Sequence, residues 1–262
     1  MRIALGIAYD GAAFDGWQTQ PSGNTVQDRL EAALAQITGS AVRVTGAGRT
    51  DAGVHALAQV AHFDTDASRP DSAWVRGVNT YLPDAIAVQW GMPVPDDFHA
   101  RFSATARRYT YLLYIHPVRP SLLAGATGWH HAPLEVARMR EAARALVGRH
   151  DFSAFRSSEC QAKTPVRTVS DLSLRTRGPY VLFDIAADAF LHHMVRNIVG
   201  ALLAVGTGRK PAEWIAEVLA GRDRTRAAPT AAAGGLYLAG VEYESRWRLP
   251  GFPRMIPILH ED

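Results

Sequence analysis

The sequence predicts an α+β fold built from two tandem halves, each with the β-α-β-β-α-β order of a ferredoxin-like unit. Three observations carry this expectation. Alternating apolar runs over 2–9 and 107–115 each open a series of elements. A helical pattern follows each opening strand, and a second one separates the last two strands of each series. No short-period repeat or low-complexity block competes with that order.

Residues 2–9 alternate as a strand. Met1 to Ala8 has the apolar character of a secretion signal, but the stretch is short and Asp10 and Asp15 follow it. The spacing then predicts a helix over 25–38, with Thr25 as N-cap and Val26, Leu30, Ala33, Leu34 and Ile37 on one face. Gly39 stands where a helix C-terminus favours glycine. Strands over 41–46 and 57–63, a helix over 71–81 and a strand over 85–91 complete the first half.

In the second half, Tyr109, Tyr111 and Leu113 alternate with Thr110, Leu112 and Tyr114. An Arg-rich helix is expected over 134–147, then strands over 166–176 and 180–188 meeting at Gly178-Pro179. Leu191, Met194, Val195, Ile198, Val199, Leu202 and Leu203 recur at helical spacing and predict a helix over 191–206. A short helix over 211–220 and a strand over 236–244 close the set. The expected organisation is an N-terminal half over 1–104, a C-terminal half over 105–246, and a tail over 247–262 carrying Pro250, Pro253 and Pro257. Sheets of this type often face nucleic acid, an analogy of fold that does not itself assign function.

The 262 residues can bury one large core or two smaller ones. No uncharged apolar run reaches the roughly 18 residues of a membrane-spanning helix, so a cytoplasmic protein without a membrane partner is expected. A single cysteine, Cys160, excludes an internal disulfide and a multi-cysteine zinc site. The net charge of +3 hides an uneven distribution. Residues 1–100 carry 6 basic and 11 acidic side chains, whereas 101–150 carry 8 arginines against Glu135 and Glu141. Lysine occurs only at 163 and 210, and arginine is the side chain better suited to phosphate and base stacking. A polyanionic partner is permitted by this asymmetry; a genome composition that favours Ala and Arg would account for the arginines as well.

The stretch from Gly46 through Ala56 holds three glycines within eight residues between two expected strands. Such a loop lets its backbone approach a ligand closely, and it presents Arg49 and Asp51 together. A phosphate-binding loop would end in Gly-Lys-Ser/Thr and lead into a helix, and neither feature is present. A bare glycine-rich turn is the plain alternative to a catalytic loop.

Gly48-Arg49-Thr50-Asp51-Ala52-Gly53-Val54-His55 resembles the active-site signature of the tRNA pseudouridine synthase A family. Tyr9-Asp10-Gly11, Phe14 and Gly16-Trp17-Gln18 resemble its N-terminal motif. Phe102-Ser103-Ala104, Arg107-Arg108-Tyr109, Asp151-Phe152, Phe155, the run Phe190 to Asn197 and Gly235-Leu236-Tyr237-Leu238 extend the likeness in order to about residue 245. The resemblance implies a pseudouridine synthase fold with a cleft between the halves. It also implies isomerisation of uridine to pseudouridine at nucleotides 38–40 of the tRNA anticodon stem-loop, by a homodimer and without cofactor or metal.

That chemistry needs an ionised carboxylate, and Asp51 is the acid of the loop. Attack at the sugar, attack at the base and removal of a sugar proton all remain open for it. A carboxylate kept ionised away from water needs a nearby cation, a role the resemblance gives to Arg196. A solvated helix arginine is its plain alternative. The target base must leave its stack, and the resemblance makes Arg49 the residue that fills the gap. Tyr109 is the implied stacking surface for uracil and a possible proton acceptor, with Leu236 packing from the other side. Either could equally be core. Arg107, Arg108 and Arg144 are expected to line a basic RNA channel, and His192 and His193 to lie beside the pocket on the helix's polar face with Arg196 and Asn197.

The histidines suggest no metal site: His192-His193 and His130-His131 are adjacent pairs, which do not share a helix face as i,i+4 pairs do. Two other functions compete. A non-catalytic RNA-binding protein of the same architecture would keep the basic residues without needing an Asp-Arg pair. A glycosidase or nucleosidase would ordinarily require a second carboxylate, which these motifs lack.

Overall fold

The computed structural model describes residues 1–251. In chain order the strands and helices are β1 (Arg2–Tyr9), α1 (Val26–Thr38), β2 (Thr45–Gly46), β3 (His55–Asp64), β4 (Ile86–Val94), β5 (Ala104–Ile115), β6 (Gly128–His130), α2 (Val136–Ala143), β7 (Gly148–Asp151), β8 (Val166–Arg177), β9 (Tyr180–Ala187), α3 (Met194–Gly206), α4 (Trp214–Gly221) and β10 (Leu236–Tyr243). The described chain divides into two compact units, one holding residues 1–105 with 237–251, the other holding 106–236. The last strand was expected in the second half. From Tyr237 it instead counts with the first unit, where it pairs parallel to β3.

In the first unit β1 lies between β3 and β4, antiparallel to both, and β2 and β10 share the other edge of β3. The strand expected over 41–46 shrinks to Thr45–Gly46. Ile3, Leu5 and Ile7 are fully buried, with Leu30 and Leu34 of α1 also at zero exposure. Thr25 and Asp28 form a capping box at the start of α1, and Gly39 ends it in the left-handed conformation. The helix expected over 71–81 contains a π-helical turn, Ala73–Gly77, that buries Trp74.

The opposite side of this sheet is covered. Ala4 and Val60 pack with Phe98 and Trp247, joined by Tyr243 and Leu249. That face is therefore covered by the chain's own residues. Tail residues Trp247 and Leu249 do the covering, whereas Pro253 and Pro257 lie outside the described residues.

In the second unit β9 pairs with β5 and β8, and β7 extends the sheet beyond β8, all antiparallel. The unforeseen β6 runs parallel along β5. β6 and β7, of three and four residues, are too short for alternation to be legible. α2 ends at Ala143 and tightens into a 3-10 turn, Arg144–Leu146. α3 begins at Met194 rather than 191, because His193 adopts a left-handed φ of 63° that no helix continues through. The helix is nearly all buried, with Ile198, Val199, Ala201, Leu202 and Val205 at 1% exposure or less.

Candidate active site

The loop from Gly46 to His55 joins β2 to β3, and buried polar contacts hold its shape. Gln59, on β3 and fully buried, donates from Nε2 to the Gly48 carbonyl at 2.7 Å and accepts from the Gly48 N–H at 3.3 Å. Thr50 Oγ1 and the Tyr9 hydroxyl lie 2.8 Å apart out of water, and the Trp17 N–H donates to Thr50 O at 3.0 Å. Burial pushes the Tyr9 phenol up to about 12, against the opposing effect of its bonds to Thr50 and Gln59, so it serves as a neutral strut. Val54 N–H closes the turn on Asp51 O at 3.1 Å.

The N-terminal segment 10–17 forms the bed of this loop. Gly11 lies so close to the Val54 carbonyl that any side chain there would collide with it. Gly16 has φ 90°, and a methyl group on it would stand 2.7 Å from Thr50 O and 3.1 Å from Ala52 N. Two sequence motifs separated by some thirty residues thus form one object. Asp51 is half-buried on the loop and Arg49 is exposed beside it. At the loop's end, buried His55 Nδ1 accepts from Gly11 N–H at 3.1 Å. Asp10 Oδ1 lies 3.0 Å from the same nitrogen. A nitrogen accepting from an amide carries no proton, so the Gly11 bond, not an Asp10–His55 ion pair, describes this contact in a neutral imidazole.

In the second unit, Arg107, Arg108 and Tyr109 lie consecutively on β5. Tyr109 is 8% exposed and meets Phe190 edge-on, centroids 5.0 Å apart. Arg107 Nη1 donates to Asp188 O at 3.1 Å, and Arg108 pairs with Asp171 at 3.6 Å. Arg144 is exposed. Arg196 lies in the first turn of α3, half-buried, with Nε donating to Ala231 O at 2.8 Å. A cation there adds to the positive end of the helix dipole, making this terminus favourable for an anion. Nearby Tyr111 feels it: burial raises its phenol to about 12 while the Arg196 charge works the other way.

His192 and His193 are half-buried with ring centroids 4.1 Å apart, but they precede the helix. Asn197 is fully buried, so the polar helix face expected from His192 to Asn197 does not exist. Leu236, 5% exposed, opens β10. It follows Gly235, whose Cα faces the Tyr111 ring and Leu112 O too closely for a side chain.

Sequence reasoning missed Gln59 and Tyr9 as supports of the Asp51 loop, and Asn197 and Arg224 around Arg196. For Tyr9 and Gln59 the available signal was polarity within an expected strand; Asn197 read as part of a polar helix face, and Arg224 lies in no predicted element. Tyr9 and Gln59 both sit within strands.

A family model described as tRNA pseudouridine synthase matches residues 6–103 and 142–244. The chain is 60% identical over 250 residues to the tRNA pseudouridine synthase A of Burkholderia thailandensis, covering 95% of this chain and 93% of that protein. Burkholderia multivorans has a protein of the same name with the same identity and coverage. With a matched model over most of its length and relatives of this similarity, the chain belongs to the tRNA pseudouridine synthase family.

Proposed function

We propose that this chain isomerises uridine to pseudouridine at nucleotides 38–40 of the tRNA anticodon stem-loop, with Asp51 as nucleophile or base. The observation that carries the reading is the Asp51 loop itself: a carboxylate on a turn clamped by Gln59, Thr50 and the 10–17 segment, in a chain 60% identical to proteins named for this activity. The reaction breaks N1–C1′, turns the uracil over and joins C5 to C1′; the C5 proton leaves and N1 gains one. Atoms and oxidation state balance, so the chemistry calls for no redox cofactor.

The supporting roles follow the demands of the reaction. Arg49, exposed next to Asp51, fills the stack vacated by the flipped nucleotide. Tyr109 stacks on the uracil and Leu236 packs against it, both being apolar surfaces held largely out of water. Arg196 supplies the positive charge that keeps the carboxylate ionised. His192 and His193 adjoin that arginine in sequence and contact the substrate, and Arg107, Arg108 and Arg144 track the RNA backbone. The enzyme works in the cytoplasm as a homodimer, each tRNA touching both copies. No helix among the described residues is long and apolar enough to cross a membrane.

Tritium release from tRNA labelled at uracil C5 tests the reading. Wild-type protein is expected to release tritium and Asp51→Asn to release at least about 10²-fold less. Tight binding without release would identify a non-catalytic RNA-binding protein, and free uracil would identify a hydrolase.

A further inference from the structure

Arg196 is not held by its helix alone. The segment 228–231 lies across the first turns of α3: Ala231 N–H donates to Arg196 O at 3.1 Å, and Arg196 Nε donates back to Ala231 O at 2.8 Å. Gly200, one turn further on, approaches the Pro229 carbonyl so closely that any side chain would collide with it. The segment is a strap, bonded to both the backbone and the side chain of Arg196.

Three polar side chains hold the strap. Asn197, fully buried, donates from Nδ2 to Phe155 O at 2.8 Å. Its Oδ1 accepts from Thr230 Oγ1 at 2.7 Å and from Arg224 Nη2 at 3.1 Å. Arg224 also donates to Thr230 Oγ1 at 3.1 Å and from Nη1 to Ala228 O at 2.9 Å. One guanidinium thus ties the strap's first residue, its threonine and a buried helix side chain together. A half-buried arginine with this many aligned bonds is costly to leave unpaired. Such a network also rigidifies whatever it carries.

We infer that Arg224, Thr230 and Asn197 are positioning residues for the isomerisation, acting through the strap to aim Arg196. This rests on the reading of Arg196 given above. A guanidinium displaced by about 1 Å loses on the order of 10- to 100-fold in rate. That loss falls on the chemical step and not on tRNA binding.

The test compares Thr230→Val, Thr230→Ser, Arg224→Lys and Arg196→Lys in the full-length enzyme, at temperatures where each melts like wild type. Thr230→Val removes the hydroxyl at constant shape. We expect its single-turnover rate to fall about 10-fold or more with KM for tRNA within about 2-fold, and Thr230→Ser to restore it. The Nε–H resonance of Arg196 in ¹⁵N-arginine-labelled protein, assigned by its loss in Arg196→Lys, should exchange faster in both Thr230→Val and Arg224→Lys. Arg224→Lys keeps the charge and serves if Thr230→Val folds poorly. Full activity of Thr230→Val beside an inactive Arg196→Lys would overturn the inference alone, as would unchanged exchange. A fully active Arg196→Lys would remove the reading of Arg196 and this inference with it.

Discussion

His55 and Tyr237 stack with ring centroids 4.7 Å apart and planes 21° apart, at the point where β10 runs parallel to β3 with these two residues paired. His55 ends the Asp51 loop and Tyr237 follows Leu236, so one ring contact anchors two neighbouring motifs. Its imidazole also accepts the Gly11 N–H. His55→Phe keeps the ring and loses the acceptor; His55→Ala loses both. Stability by urea denaturation should fall by about 1–3 kcal/mol for the first, the cost of an unsatisfied buried amide, and further for the second. Equal losses would mean that the stack contributes nothing.

Gly16 takes a φ of 90° under the Asp51 loop, where a methyl group would stand only 2.7 Å from Thr50 O. Gly16→Ala must move either the 10–17 segment or the loop. We expect tritium release to drop by at least about 10-fold, with the protein still folded by circular dichroism. Wild-type turnover in Gly16→Ala would show that the carboxylate tolerates displacement.

His62 is buried, and its imidazole is pushed down to about 4, first by burial, then by the charges of His99 and Arg2; Asp64 acts in the opposite direction. Nδ1 accepts from Ala100 N–H at 3.2 Å. A folded value below that of the unfolded chain means the unfolded state binds the proton first. The stability is therefore complete above about pH 6.5 and drains as pH falls through 4, by about 3 kcal/mol at most from this group. Denaturation midpoints between pH 7 and 4 should show that slope in the wild type and a flatter one in His62→Gln.

Tyr109 is braced edge-on by Phe190, which suits a rigid stacking surface. Tyr109→Leu should weaken stacking by about 1–3 kcal/mol in binding of a 5-fluorouridine tRNA. Tyr109→Phe should bind like wild type, and a drop in its turnover would assign the hydroxyl to proton transfer.

Arg108 is engaged by Asp171 and Arg107 by a carbonyl, whereas Arg144 is exposed. If these residues meet phosphate, Arg144→Ala should reduce the slope of log affinity for tRNA against log salt by about 1. Arg108→Ala should reduce it less, since the wild-type charge is already partly compensated. Identical slopes in all three proteins would remove them from the RNA path.

Much of the fold was legible because periodicity and capping act locally. Thr25, Gly39 and the apolar face of the 13-residue helix between them specify α1 locally. The start of α3 was misplaced because three apolar residues continue the helical pattern through His193, whose left-handed backbone no spacing reveals. Asn197 was assigned to a polar face because its hydrogen-bonding partners, Phe155, Arg224 and Thr230, lie 27 to 42 residues away in the chain. The same distance hid Tyr9 behind Thr50.

The amino-acid sequence by itself determined the chemistry on offer: a carboxylate and an arginine on one glycine-rich loop, a tyrosine strand, and a helix bearing Arg196. Motifs of contiguous residues carry that information, because reactive groups are recognisable by type and spacing. Only tertiary structure decided what holds each group in place. The 10–17 segment beneath Asp51, Gln59 across Gly48, and the strap over α3 are contacts between residues far apart in the chain. They exist only once burial makes an unsatisfied polar group too costly to leave.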